Sequence, residues 1–240
     1  MGFKYVFKRC EIKYLLTTEQ KECILNRIAD YISPDAYGNT TIRNIYYDTD
    51  NYTLIRKSIE KPIYKEKLRL RSYKQLIQGE NAFVELKKKY DGVVYKRRLS
   101  MPEDEAEQWI TRKYVPPLDT QIKREIEYFN SFYKTLRPAV YLCYDREAFF
   151  AKDDDTFRIT FDRNIMYRQN ELTLCSEAYG KKLINDDQCL MEIKCTGGMP
   201  LWMVSVLSEN KIYKTSFSKY GTAYMELLYN NSLKENFCYV

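Results

Sequence analysis

The stretch Lys67-Leu68-Arg69-Leu70-Arg71 decides the fold. Side chains two apart on a β-strand point to the same face. One face of this segment therefore carries three cations and the other two leucines. The pattern recurs in Arg9-x-Glu11-x-Lys13, backed by Cys10 and Ile12, and in Glu85-x-Lys87-x-Lys89, backed by Val84 and Leu86. Glu192-x-Lys194, flanked by Ile193 and Cys195, is a fourth case. An ordinary half-buried sheet turns its apolar row to the core and leaves a charged row in water, and any one stretch fits that description. Four such rows with this many lysines and arginines point instead to strands lining one basic cavity, because clustered cations are a means of holding phosphate.

Composition narrows the class. The 240 residues suffice for one good core, and no linker divides them, so a single domain over residues 1–240 is expected. With 45% hydrophobic and 30% charged residues the chain should be globular. The net charge of +6, from 39 basic and 33 acidic residues, implies an anionic partner only if it is focused, as the four rows suggest. No apolar run reaches membrane-spanning length and residues 1–10 hold no signal-peptide core, which leads to the expectation of a cytoplasmic protein.

Absences exclude whole chemistries. The chain has no histidine, which removes Ser-His-Asp and Cys-His catalysis and histidine metal sites together. Its seven cysteines are scattered, odd in number and free of any CxxC, as suits thiols in a reducing compartment. No glycine loop of the Walker or dinucleotide-binding type occurs. A metal would then rest on carboxylates and phosphate oxygens, which points to Mg²⁺ or Mn²⁺.

Periodicity predicts strands over residues 3–16, 41–48, 62–74, 83–90, 93–101, 139–148, 156–166 and 188–195. Asp91-Gly92 marks a hairpin. Helices are expected after Thr17, with Gln20 three residues on, and over residues 103–112, 121–135, 200–208 and 218–229, with a short turn at 52–58. The tail from Asn230 is expected to fray. The class is α+β with a dominant antiparallel sheet. A sheet of about eight strands can close into a barrel, charged face inward and helices packed outside, around a tunnel wide enough for one extended ligand.

The order and spacing of these motifs resemble the triphosphate tunnel enzymes: Arg9-x-Glu11-x-Lys13-Tyr14, Tyr46-Tyr47-Asp48, Lys67-x-Arg69-x-Arg71, Glu85-x-Lys87, Tyr144-x-Arg146, Arg158-x-Thr160-x-Asp162 and Glu192-x-Lys194. Within that superfamily the chain is similar to the vacuolar-transporter-chaperone (VTC) polyphosphate polymerase domain in its stand-alone bacterial form. The features that carry this are Phe7-Lys8-Arg9, Tyr46-Tyr47-Asp48-Thr49 and Ser216-Phe217-Ser218-Lys219-Tyr220. The resemblance runs from about residue 3 to residue 229. It implies a closed antiparallel barrel that binds ATP and triphosphate or inorganic polyphosphate, with a divalent metal on a tunnel glutamate. The implied reaction transfers the ATP γ-phosphoryl group to a growing polyphosphate chain. Neither the phosphate-sensing domain nor the transmembrane helices of the fungal complexes are found here, so a membrane partner stays open.

Lys13, Arg69, Arg71, Lys87, Arg146 and Arg158 are the expected catalytic cations. Arg9, Arg98, Lys194, Lys219 and Tyr47 are expected to bind substrate, and Glu192 the metal, Mn²⁺ or Mg²⁺. Arginine forks suit phosphoryl oxygens and lysines serve as point charges. Arg146 and Arg158 could instead pair with Asp145 or Asp162, and Arg98 competes with Lys96 for the inward position. Lys219 begins a helix, where the N-terminus favours an anion. Two rivals remain at this level. One is hydrolysis of tripolyphosphate or a nucleoside triphosphate, whose enzymes open with two glutamates where this chain has Arg9 and Glu11. The other is a non-catalytic binder of polyphosphate or RNA, although nucleic acid is not expected. The direction of the cations, into a tunnel or out onto a face, discriminates.

Overall fold

The structure, a computed structural model, describes the backbone of residues 9–237 and the side chains of residues 10–228. The chain enters through β1 (Arg9–Thr17), α1 (Thr18–Ile28), β2 (Ile32–Pro34), β3 (Thr40–Asp48), α2 (Thr53–Ile59) and β4 (Tyr64–Ser72). It continues through β5 (Asn81–Tyr90), β6 (Val93–Pro102), α3 (Glu103–Ile110), α4 (Gln121–Phe132), β7 (Arg137–Ala151) and β8 (Arg158–Arg168). It ends with β9 (Lys181–Lys182), β10 (Gln188–Thr196), α5 (Leu201–Glu209) and α6 (Lys219–Phe237).

Local chemistry accounts for the element ends. Thr17 and Gln20 form the expected capping box: the Thr17 hydroxyl accepts from the Gln20 amide at 3.2 Å, and the Gln20 side chain accepts from the Thr17 amide at 3.0 Å. Asp91 and Gly92 both have positive φ, 44° and 80°, which fits the two-residue turn between β5 and β6. Buried Asp48 accepts from the amides of Leu54 and Ile55 at the start of α2, at 2.8 and 3.0 Å, and from the Tyr220 hydroxyl at 2.9 Å. One carboxylate thus ties α2 and α6 to the end of β3.

Among the described residues ten strands make one antiparallel sheet in the order β1-β10-β8-β7-β3-β4-β5-β6, with β2 and β9 attached to β7 and β8. Its outer face is apolar. Leu68, Leu70, Val84 and Leu86 are fully buried there against Ala106 and Trp109 of α3 and Ile126 and Phe129 of α4. Phe161, Met191 and Ile193 lie under α1 and α5 with Ile24, Ile28, Met203 and Val206. Each such side chain contributes about 1.5–3 kcal/mol on burial. The inner face is divided. Toward one end it is apolar, with Val140, Leu142, Ile165 and Leu190 covered by Tyr220, Ala223 and Tyr224 of α6. Toward the other it carries the charged rows.

The structure corrects four expectations. Among the described residues the sheet is not a closed barrel: β1 and β6 are its two ends, and no ladder joins them. On its free side β1 makes only an isolated bridge, Lys13 to Thr215, among the described residues. The helices do not all pack outside, because α6 covers part of the inner face. Ile32 belongs to β2 and not to the first helix, and β2 and β9 are too short for any alternation to reveal them. Finally, α6 continues to Phe237 where an end at Tyr229 and a frayed tail were expected; residues 238–240 lie outside the described residues.

Candidate active site

The register of the ladders decides which side chains meet. Arg69 lies between Tyr46 on β3 and Glu85 on β5, and Glu85 lies opposite Arg98 on β6. On the other flank Lys13 pairs with Glu192, Glu11 with Lys194, and Lys194 with Arg158. Twist and curl bring these two rows face to face around a cavity of about 990 Å³. All eight strands of the main path line it, with eleven lysines and arginines against three carboxylates among the described residues.

The cations are held in groups by carboxylates. Glu85, 1% exposed, accepts from Arg69 at 2.8 and 3.0 Å and from Lys96 at 2.7 Å, and lies 3.8 Å from Arg71. Arg98 donates to the same carboxylate and reaches the Tyr73 hydroxyl at 2.7 Å. Burial alone would raise the Glu85 carboxyl, but Arg69, Arg71 and Lys96 hold it far below the usual carboxylate range. Arg71 is also fixed by Asn44 at 2.9 Å and Tyr144 at 3.2 Å. Its fork and that of Arg69 are thereby presented in set orientations.

Asp162, on β8, organises the second group. Arg146 grips it bidentately at 2.6 and 2.7 Å, and Lys219 adds a contact at 2.5 Å. Burial opposes its ionisation, yet Arg146 and Lys219 bring its pKa down to about 2. Glu192 pairs with Lys194 and lies 3.8 Å from Lys13. Burial would likewise raise Glu192, but Lys194, Lys13, Lys219 and Arg146 hold it well below the usual range. Arg158 reaches Asp35 at 3.1 Å and lies over the Phe150 ring.

Between the flanks, the segment before α6 bridges the open side. Lys13 donates to the Phe217 carbonyl at 2.9 Å and Lys67 to the Ser218 hydroxyl at 3.1 Å. Ser218 in turn accepts from the Gly221 amide, at the start of α6. Burial lowers the Lys67 ammonium to about 8 despite the opposing influence of Tyr46.

The cavity brings together Lys13, Arg69, Arg71, Lys87, Arg98, Arg146, Arg158, Lys194, Lys219 and Glu192. It does not include Tyr47. That side chain lies opposite Leu68 and is 1% exposed in the outer core, whereas its neighbour Tyr46 faces inward opposite Arg69. The Arg9 side chain lies outside the described residues. Lys96 and Arg98 do not compete: being two apart they share a face, and both reach Glu85. Sequence reasoning left Lys67, Lys96 and Tyr46 out of the site. Lys67 and Lys96 stood in the same alternating rows as residues that were chosen. Tyr46 could not be told from Tyr47, because β3 is buried on both faces.

A family model described as the VTC domain matches residues 8–228. The chain belongs to the VTC domain family. No curated protein matches its sequence. Among solved structures, this VTC domain is similar to a "putative adenylate cyclase" from Bacillus halodurans, at 14% identity and a TM-score of 0.53, with 87% of this chain and 92% of that one covered. It is also similar to a "putative adenylate cyclase" from Vibrio parahaemolyticus, at 12% identity and a TM-score of 0.48, with 92% and 99% covered. At such identity the first likeness shows a shared fold alone. Among the described residues no helix is long and apolar enough to cross a membrane.

The cavity's donor set bears on a metal. Among the described residues no three His, Cys, Asp or Glu side chains gather closely enough to hold an ion. Glu192 and Glu11 do lie diagonally on adjacent strands, within reach of the same lysine. Mg²⁺ and Mn²⁺ commonly sit on one or two carboxylates plus substrate phosphates. These residues fit an ion of that kind, completed by phosphate oxygens.

Proposed function

We propose that this VTC domain is a polyphosphate polymerase that transfers the γ-phosphoryl group of ATP to a chain of inorganic polyphosphate. The observation that carries this reading is the concentration of eleven cations around one cavity whose lining holds neither histidine nor cysteine. Phosphoryl transfer asks a protein mainly to position oxygens in line and neutralise charge. A terminal oxygen of the chain attacks the γ-phosphorus, the bond from that phosphorus to the β–γ bridging oxygen breaks, and ADP leaves. No protein nucleophile is needed.

Arg69 and Arg71 offer planar forks to the transferring group, while Lys13, Lys87 and Lys194 act as point charges along the chain. Arg146, Arg158, Arg98 and Lys219 extend the track on the facing walls. Glu192 would hold Mn²⁺ or Mg²⁺, and a bound ion would neutralise phosphoryl oxygens. Transfer is favoured over hydrolysis because the first carboxylate position of the hydrolytic motif is Arg9.

Purified protein incubated with ATP and Mn²⁺ tests the reading. ADP together with stainable polymer supports it. ADP with free phosphate makes the chain a hydrolase, and neither product makes it a binder. Glu192→Gln should abolish metal-dependent turnover and leave ATP binding measurable without metal; undiminished turnover would remove Glu192 from the metal site.

A further inference from the structure

Tyr46 stands against the cation wall in an unusual hydrogen-bonding state. The side chain is 8% exposed and stacked on Tyr220, with ring centroids 4.7 Å apart and planes at 22°. Its phenol oxygen accepts from Arg69 Nη1 at 2.9 Å. Among the described residues the phenol donates no hydrogen bond of its own. The stacked Tyr220 hydroxyl is turned away and donates to Asp48.

The groups around Tyr46 are mostly cationic. From β4 it faces Lys67, Arg69 and Arg71, and from β1 Lys13. On β7 the hydroxyl of Tyr144 is occupied by Arg71, and Lys219 of α6 lies over the Tyr144 ring. On that wall Glu85 takes Arg69 from its other side. An oxygen with a guanidinium donor, several nearby cations and no protein acceptor for its proton among the described residues is set up to be a phenolate.

We propose that Tyr46 is the resident counter-ion of this cavity: its phenolate balances Arg69 in the free protein, and an incoming phosphate group replaces that charge. The phenol then takes one proton from solvent and can donate it in a hydrogen bond to a phosphate oxygen. The inference rests on the reading of the cavity as a polyphosphate site and adds a proton to its binding equilibrium. Burial alone would raise the phenol, but Arg69, Lys67 and Arg71 outweigh it and bring the group down to about 7. Above that midpoint, tripolyphosphate affinity should fall about tenfold per pH unit relative to a protein lacking the hydroxyl.

The test uses the full chain with inorganic tripolyphosphate and a chelator to exclude metal. Calorimetry in two buffers of different protonation enthalpy counts protons, and near-ultraviolet difference spectra follow tyrosinate. Tyr46→Phe keeps the ring stack and removes the titrating oxygen. Tyr144→Phe is the control, because Arg71, Arg146 and Lys219 also lower that phenol against the effect of burial. Tyr47→Phe is a second control, in the outer core.

We expect wild type to take up close to one proton more per ligand than Tyr46→Phe above neutral pH, with loss of a tyrosinate band that is absent from Tyr46→Phe and is likewise lost on binding in both controls. Equal proton uptake in wild type and Tyr46→Phe, or a band that survives in Tyr46→Phe and vanishes in Tyr144→Phe, would overturn the inference. Tripolyphosphate binding without any tyrosinate change defeats this inference and leaves the polyphosphate reading standing. A wild-type protein that does not bind tripolyphosphate at all defeats both.

Discussion

Glu11 on β1 and Lys87 on β5 meet at 3.4 Å, although six strand-to-strand ladders separate their strands along the sheet. The sheet therefore curls until its flanks face one another, and among the described residues it stops short of joining backbone to backbone. Both side chains are partly exposed, 25% and 39%, and such pairs stabilise by about 1 kcal/mol or less. The contact reports the curvature more than it causes it. It also keeps the Lys87 charge where a phosphate could take it over.

Lys87→Gln should accordingly change stability by less than about 1 kcal/mol in chemical denaturation. Tripolyphosphate affinity should fall several-fold in the same variant, and the loss should shrink at high salt, where exposed charges are screened. A large loss of stability would mean that the pair holds the sheet in its curled form.

Glu85→Gln should behave in the opposite way. Four cations lose their shared counter-charge. Removing one partner from a buried ionic cluster costs about 3–5 kcal/mol, and the partial exposure of Lys96 and Arg98 favours the lower end. Because phosphate can supply the missing charge, tripolyphosphate should raise the melting temperature of the variant more than that of wild type. Scanning calorimetry with and without the anion reads both effects.

Arg69→Ala and Arg71→Ala should each lower turnover by about two to three orders of magnitude, the 3–4 kcal/mol typical of a donor aimed at developing charge. Lysine at either position should restore only part of the rate, since it returns the charge without the fork. Turnover equal to wild type in the alanine variants would place these residues off the reaction path. Thermal melts of the same proteins separate loss of activity from loss of fold.

Acid should unfold the protein through its buried carboxylates. Glu85, Glu192 and Asp162 all have folded pKa values below their ordinary ones, so each adds stability that is complete above the ordinary carboxylate range. Asp162's share is lost as pH falls from about 4 toward about 2, and that of Glu85 and Glu192 continues to lower pH. Asp162→Asn should flatten the lower part of the curve by an amount on the order of 2 kcal/mol. Denaturation midpoints collected across that window check the slope. A curve for Asp162→Asn that parallels wild type would remove Asp162 from the acid transition.

The alternation of Lys67, Arg69 and Arg71 with Leu68 and Leu70 was legible because side-chain direction in a strand has a period of two and depends on neighbours alone. The same local rule identified the inward rows of β1, β5 and β10, the capping box at Thr17 and the Asp91-Gly92 turn. It could not choose between Tyr46 and Tyr47. Residues 42–48 of β3 are buried throughout, and only pairing with Arg69 or with Leu68 tells the two tyrosines apart. Nor could it show that the sheet stays open, that Lys13 and Lys67 both reach the 217–218 segment, or that α6 covers the apolar end of the inner face. Those outcomes depend on ladder register and accumulated twist across strands far apart in sequence. Local alternation was enough to assign the charged side of β1, β4, β5 and β10. The tertiary structure alone decided which charged sides face one another, since a cavity wall belongs to several strands at once.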